Sequence, residues 1–224
     1  MGIVNYPSLN DIETLLLDMD GTLLDLRFDN HFWVDHLPVR YGDIHGLEHE
    51  LANSHVERQL RDAEGTLNWY CTDHWSRHFN VDIMTLKREV EHLIQYRPGT
   101  EKFLRELDSY DHLKIYIVTD AHPNVLALKQ MVTGLLDQVH DHHCSHHYGL
   151  PKRDLRFWQA LSEQIDFDPA TTMMIDDSPA VLQQCRNFGI EHLLCVEKPD
   201  SGRAHDHKHD FPLIDDLSIL LEQP

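Results

Sequence analysis

Positive charge is what this sequence has least of. Its 224 residues carry 19 lysines and arginines against 38 aspartates and glutamates, a formal net charge of −19. Such a surface repels nucleic-acid backbones and anionic membranes, so neither is expected as a partner. A phosphorylated small molecule would have to be drawn in by a local cluster of cations. Cysteine is also sparse: Cys71, Cys144, Cys185 and Cys195 form no C-x-x-C pair and no framework of the kind that staples small secreted domains. Reduced thiols and a cytoplasmic location are therefore expected. No apolar run approaches the roughly 20 residues of a membrane span. The first ten residues lack a basic stretch followed by an apolar one, and Tyr6 stands where a myristoylation signal has Ser or Thr. With 41% hydrophobic and 25% charged residues the composition is that of a globular protein, long enough for one large domain or a domain with an insertion.

What the sequence does contain is a repeated pattern of apolar runs that end in polar residues. Leu15-Leu16-Leu17 leads into Asp18-Met19-Asp20-Gly21-Thr22, a buried strand followed by a glycine turn. Leu113 to Val118 leads into Thr119-Asp120, and Thr172 to Ile175 leads into Asp176-Asp177-Ser178. Pro123 and Pro179 open helices directly after the second and third runs, and Gly189 ends the latter helix. On the helix after Pro123 the spacing of Val125, Leu128, Met131 and Val132 predicts one buried face. Thr100 is expected to cap a helix over 101–109, and Leu155, Trp158, Leu161 and Ile165 mark another helix. A less distinct strand falls near 138–142, a last strand at 192–196, a polar loop at 199–210 and a terminal helix at 214–221. Strands alternating with helices predict an α/β fold with a parallel sheet.

Residues 26–96 read differently. Phe28, Phe32, Trp33, Leu37, Leu67, Tyr70, Trp75, Phe79, Leu86, Val90 and Ile94 recur at three- and four-residue spacings, with breaks expected near Pro38, Gly42 to Gly46 and Gly65. The expectation is a helical insertion that covers the site. The core would then comprise residues 1–25 and 97–224.

In an open α/β sheet ligands bind at the C-terminal strand edge, where Asp18, Asp20, Thr119, Asp176 and Asp177 collect. Asp18 and Asp20, two apart on extended chain, face one way. Carboxylates gathered there repel, by roughly 4 kcal/mol per pair at about 4 Å and an effective dielectric near 20, unless a cation sits among them. All-oxygen donors with room for water and phosphate suit Mg²⁺. Lys152 offers a point charge for a phosphate oxygen and Thr119 a hydroxyl. A carboxylate nucleophile beside a metal and a second carboxylic acid is what phosphoryl transfer through an aspartyl-phosphate requires. Asp18 would attack phosphorus. Asp20 would protonate the leaving oxygen and then deprotonate water.

Leu-Asp18-Met-Asp20-Gly-Thr22, Val-Thr119, Pro-Lys152 and Ile-Asp176-Asp177-Ser178, in this order, resemble the four signature motifs of the haloacid dehalogenase (HAD) superfamily of phosphohydrolases. The resemblance covers nearly the whole chain. Leu-Leu-Asp-Leu-Arg-Phe-Asp-Asn-His-Phe-Trp (23–33), Thr-Leu-Asn-Trp-Tyr-Cys (66–71) and Ala121-His122-Pro123 further resemble the bacterial GMP/IMP 5′-nucleotidases. The resemblance implies a Rossmann-like parallel core with an inserted α-helical cap of the C1 type, Mg²⁺, and hydrolysis of a small phosphomonoester such as GMP or IMP. It also implies Asp18 as nucleophile, Asp20 as acid/base with its backbone carbonyl on the metal, Asp177 as a direct metal ligand, and Asp176 as a direct or water-mediated one. Thr119 and Lys152 would hold phosphate, in a site that includes Asp120. Asp120 is a departure, because many members carry Asn there, and a carboxylate so placed could repel phosphate unless only its N–H faces the site. The acid at position 20 disfavours the dehalogenase branch.

Other readings remain at this stage. Asn68, Trp69 and Tyr70 would contact a base, as aromatic faces do, or simply pack the helices. Arg27 divides likewise between substrate and solvent, as do His31 and Arg40. The same core serves sugar-phosphate phosphatases and phosphomutases. The histidine runs at 140–147 and 205–209 raise a non-catalytic, metal-binding or regulatory protein, although no C-x-x-C or H-E-x-x-H spacing fixes their ligands. The assembly expected is a monomer or small homo-oligomer.

Overall fold

A computed structural model describes residues 6–204 and 208–222 of the chain. Its centre is β1 (Thr14–Leu17), four residues that are all buried. Between β1 and the next strand come α1 (Arg27–His31), α2 (Leu37–His45), α3 (His49–Ala63), α4 (Leu67–Tyr70), α5 (Thr72–Phe79) and α6 (Ile83–Glu89). Then follow α7 (Thr100–Leu107), β2 (Lys114–Thr119), α8 (Pro123–Thr133), β3 (Asp141–Cys144), α9 (Ser145–Tyr148) and α10 (Leu155–Ser162). β4 (Thr172–Asp176), α11 (Pro179–Phe188), β5 (His192–Val196) and β6 (Leu213–Ile214) complete the sheet, and a 3₁₀ turn over Leu217–Glu222 ends the described chain.

The six strands are parallel, in the order β3-β2-β1-β4-β5-β6. This is the expected doubly wound α/β, Rossmann-like sheet. The chain winds outward from β1 to one side and then returns to build the other, so a crevice opens at the C-terminal ends of β1 and β4. Strand periodicity sorts the core into two layers. Leu15, Leu17, Ile115, Ile117, Met173 and Ile175 face α7 and α8, whereas Leu16, Val118 and Met174 face α10 and α11. Each fully buried aliphatic side chain contributes roughly 2 kcal/mol, which is why a strand of four leucine-rich residues can anchor the sheet.

Several local expectations change. Gly99 rather than Thr100 is the N-cap of α7, because Gly99 takes φ +79° and Thr100 already lies in the first turn. Pro38 does not break its helix. Leu37 N–H donates to Phe32 O across a π-helical segment, Phe32–His36, and this wider turn places the proline in the first turn of α2, where no amide donor is required. Gly42 lies inside α2 because α3 passes close by: a Cβ there would meet the Ala52 Cβ at 3.2 Å. On α8 the buried stripe is Val125, Leu126, Leu128 and Lys129, while Met131 and Val132 in the last turn are exposed. The third strand lies later than expected, at Asp141–Cys144, and Leu213–Ile214 is a strand because it extends the sheet beside β5. Among the described residues no helix is long and apolar enough to cross a membrane.

Candidate active site

The sheet register brings the strand ends level. Leu17 pairs with Ile117 on one side and Ile175 on the other, so Asp18, Thr119 and Asp176 emerge along one edge. Asp18 N–H donates to Ile175 O at 3.0 Å. Beyond it the chain folds sharply: Leu23 and Leu24 N–H both donate to Met19 O, and Gly21 N–H donates to Leu24 O at 2.8 Å. Gly21 has φ +83°, and a Cβ on it would lie 2.6 Å from Asp177 Oδ2. The glycine thus both allows the turn and admits the carboxylate of Asp177.

Lys152 occupies the middle of this edge, only 3% exposed. Its ammonium donates to Asp18 Oδ1 at 2.5 Å, Asp176 Oδ2 at 2.8 Å and Val118 O at 3.1 Å. Its backbone is held on both sides, since Lys152 N–H donates to Asp120 Oδ1 at 2.9 Å and Trp158 Nε1–H donates to Lys152 O at 2.8 Å. Asp120 therefore spends a carboxylate oxygen on positioning the lysine loop, although the residue also lines the cavity. Burial pushes its carboxyl up, against the pull of Lys152. Thr119 is buried, and its hydroxyl accepts from Ala121 N–H at 3.0 Å.

Burial, then repulsion from Asp176, Asp177 and Asp20, raises the Asp18 carboxyl well above the carboxylate range although Lys152 opposes the shift. Asp177 is pushed up to about 7 by burial and Asp176. Lys152 is displaced far upward, because Asp176 and Asp18 outweigh the cost of burying its charge. Oxygens of Asp18, Asp176 and Asp177 lie within 4.8 Å of one another. Three mutually repelling carboxylates, two buried and one half-buried, offer only oxygen donors and fit a hard divalent cation such as Mg²⁺.

A family profile for haloacid dehalogenase-like hydrolases matches residues 12–189. The chain belongs to the haloacid dehalogenase-like hydrolases. It is 38% identical over 211 residues to GMP/IMP nucleotidase YrfG of Escherichia coli (strain K12), covering 94% of this chain and 95% of the relative. A HAD phosphatase from Thermococcus onnurineus shares the fold with a TM-score of 0.79 at 19% identity, covering 94% of this chain and 97% of that one. The HAD-hydrolase YfnB from Bacillus subtilis, whose crystal structure is bound to magnesium, has a TM-score of 0.66 at 17% identity over 94% and 97% of the chains. As a HAD-like enzyme, the protein hydrolyses phosphoric monoesters.

In this HAD-like enzyme the strand edge opens into a cavity of about 590 Å³. Asp18, Asp20, Thr119, Asp120, Lys152, Asp176 and Asp177 all line it, together with Trp33, Asn53, Arg61, Trp69 and Tyr70 from the helices between β1 and β2. Arg27 and Asn68 are exposed and lie outside this lining. His31 pairs with Asp35, and Arg40 with Asp43 and Glu89.

Asp20 faces a network that sequence reasoning missed. Lys129 Nζ donates to Asp20 Oδ1 and, at 2.5 Å, to Asp29 Oδ2, while Lys87 Nζ donates to Asp29 Oδ1 at 2.8 Å. Lys87 also sits 4.3 Å from the Phe32 ring centroid and 4.9 Å from that of Trp33, a cation–π cage that compensates part of its desolvation. Burial raises the Asp20 carboxyl and Lys129 draws it down. Burial would likewise raise Asp29, but Lys129 and Lys87 reverse this and leave it strongly lowered. The signal was available: Lys87 follows Ile83 by four residues and Lys129 follows Val125 by four, so both lysines fall on the apolar stripes of their helices.

The histidine run disperses. His140 Nδ1 accepts from Ile115 N–H at 3.0 Å, and His143 Nδ1 lies 2.7 Å from the Tyr148 hydroxyl. His205 and His207 lie outside the described residues, while His209 Nδ1 accepts from Phe211 N–H at 3.2 Å.

Proposed function

We propose that this HAD-like phosphohydrolase is a Mg²⁺-dependent, cytoplasmic 5′-nucleotidase that converts purine monophosphates such as GMP and IMP to nucleoside and phosphate. The observation that carries the reading is a nucleophile set, Asp18 with Lys152 and Asp176, opening into a cavity walled by Trp33, Trp69 and Tyr70. Aromatic walls give a planar base faces to stack on. The 38% identity to an enzyme named for GMP and IMP supports the same substrate class. Residues 26–96 act as the cap and residues 1–25 with 97–224 as the core.

In the proposed reaction Asp18 attacks phosphorus, a carboxylate–phosphorus bond forms, and the bond to the nucleoside 5′-oxygen breaks. Asp20 gives its proton to that oxygen. Water then attacks the aspartyl-phosphate, Asp20 takes its proton back, and phosphate leaves. Both halves need Asp20 near the balance of its two forms. Burial favours the acid, and Lys129 favours the carboxylate. Lys152 and Thr119 hold the phosphate oxygens. Asp18, Asp176, Asp177 and the Asp20 backbone carbonyl would hold Mg²⁺, which when bound offsets the negative charge of carboxylates and phosphate.

The test is phosphate release from a panel of nucleoside monophosphates, sugar phosphates and p-nitrophenyl phosphate, with Mg²⁺ or EDTA. GMP and IMP are expected to lead, EDTA to stop turnover, and Asp18→Asn to abolish it. A sugar phosphate preferred over every nucleotide would overturn the substrate assignment. Full activity in Asp18→Asn would overturn the nucleophile.

A further inference from the structure

Away from the carboxylates, a second set of potential ligands gathers where the N-terminus of α5 meets the loop after β2 and the end of β3. One ligand atom each of Cys71, His122 and His146 lie within 4.8 Å of one another. The two imidazoles meet edge to face with centroids 4.9 Å apart. Nε2 of His146 is buried without a hydrogen-bond partner, an arrangement that costs free energy unless something ligates it. Cys71 Sγ is held in place by the His74 N–H at 3.4 Å. The Thr72 hydroxyl lies 2.9 Å from His122 Nδ1, and the Asp73 carboxylate approaches Nε2 of the same ring at 3.7 Å. Cys71, Thr72 and Asp73 at this helix start therefore all approach His122.

We propose that Cys71, His122 and His146 form a second metal site, for a borderline cation such as Zn²⁺, that fastens the helical segment to the sheet edge. One thiol and two imidazoles are nitrogen and sulfur donors, which select Zn²⁺ over the Mg²⁺ that suits the carboxylates. Asp73 supplies an oxygen for the fourth position. Zinc bonds of about 2.0–2.3 Å put tetrahedral ligands roughly 3.5 Å apart, so the trio closes by about an ångström when filled, with loss of the thiol proton. Cys71 comes directly after Trp69 and Tyr70, which wall the cavity, and His122 three residues after Thr119. Filling the site pins those walls and slows exchange of substrate and product. This last consequence rests on the proposed cap. The binding itself does not.

The experiment titrates metal-free protein with Co²⁺ in saturating Mg²⁺. One equivalent is expected to produce a thiolate-to-metal charge-transfer band, absent in Cys71→Ser and His146→Gln and retained in Asp18→Asn, because oxygen ligands give no such band. In calorimetry Zn²⁺ affinity should fall by more than about tenfold in both site variants, beyond the smallest losses typical of outer-shell changes. No band in the wild-type protein, or a band unchanged in His146→Gln, overturns the site. Zn²⁺ should slow phosphate release in the wild-type enzyme but not in Cys71→Ser, whose zinc-free rate is unaltered. Equal inhibition of the two overturns the fastening role and assigns inhibition to the carboxylates. A protein that hydrolyses no phosphomonoester defeats the proposed function while leaving the spectroscopic result to stand.

Discussion

Lys152→Met offers a direct test of the charge arrangement at the strand edge. The lysine is the cation among Asp18, Asp176 and Asp177, and both of its carboxylate bonds are buried. Removing one partner of a buried ion pair costs about 3–5 kcal/mol because the remaining charges are left uncompensated. At roughly 2–4 °C per kcal/mol for a chain of this size, the melting temperature should fall by about 6–20 °C. The deficit should depend on pH in a defined direction. Lys152 is raised in the folded state, so its contribution is present throughout neutral pH and is lost only in strongly alkaline solution. Asp18 and Asp177 are raised acids, which bind more protons folded than unfolded, so their contribution to stability falls as pH rises. Deleting the lysine raises them further, and the gap to wild type should widen between pH 5 and pH 8. Mg²⁺ should narrow it: saturation at about 100 times Kd stabilises by about 2.7 kcal/mol, and the variant gains more because no lysine competes for the oxygens. Thermal unfolding followed by circular dichroism at both pH values, with and without Mg²⁺, measures each quantity. A variant melting within about 2 °C of wild type at pH 8, less than one kcal/mol by the same conversion, would refute the reasoning.

Asp29→Asn removes the acid shared by Lys87 and Lys129, and should destabilise by about 3 kcal/mol at neutral pH. Because the folded carboxyl is lowered, its contribution is present above the unfolded value near 4 and is lost as pH falls through the folded one. Urea midpoints of variant and wild type should therefore converge from pH 6 toward pH 3, and a constant separation would refute the pairing. Gly21→Ala must adopt φ +83° and drive a methyl into Asp177 Oδ2. The backbone conformation costs about 1–2 kcal/mol, and displacement of Asp177 should raise the Mg²⁺ concentration needed for half-maximal rate. An unchanged Mg²⁺ dependence would remove Asp177 from the metal site.

The strand edge was legible because its signals are local. An apolar run followed by acids states both that a strand is buried and that its end is not, and the parallel order follows from the alternation with helices. The helical segment was legible only in outline. On a helix of four residues, neighbours point to different sides, so Trp69 and Tyr70 line the cavity while Asn68 faces solvent, and aromatic spacing alone does not separate them. Lys87 and Lys129 were hidden by the ordinary behaviour of lysine, which seldom lies fully buried. Leu213–Ile214 was hidden for another reason: two residues carry no period, and only the neighbouring β5 makes them a strand.

Scarce positive charge, which argued against a polyanionic partner, takes a more specific meaning at the cavity. Lys87, Lys129 and Lys152 are among the 19 basic residues, yet all three are buried, each bonded to acids of the site or its border. A lysine can be buried so completely only where carboxylates offset its desolvation, and carboxylates can gather so densely only where lysines stand among them. The balance is nevertheless unequal, since eight acids line the cavity against four lysines and arginines. A phosphate dianion entering that lining meets a net negative wall despite Lys152. The chemistry read from the strand ends and the electrostatics of the whole cavity therefore point the same way. In the proposed function, a divalent cation held among Asp18, Asp176 and Asp177 would offset part of this negative charge for an incoming phosphate.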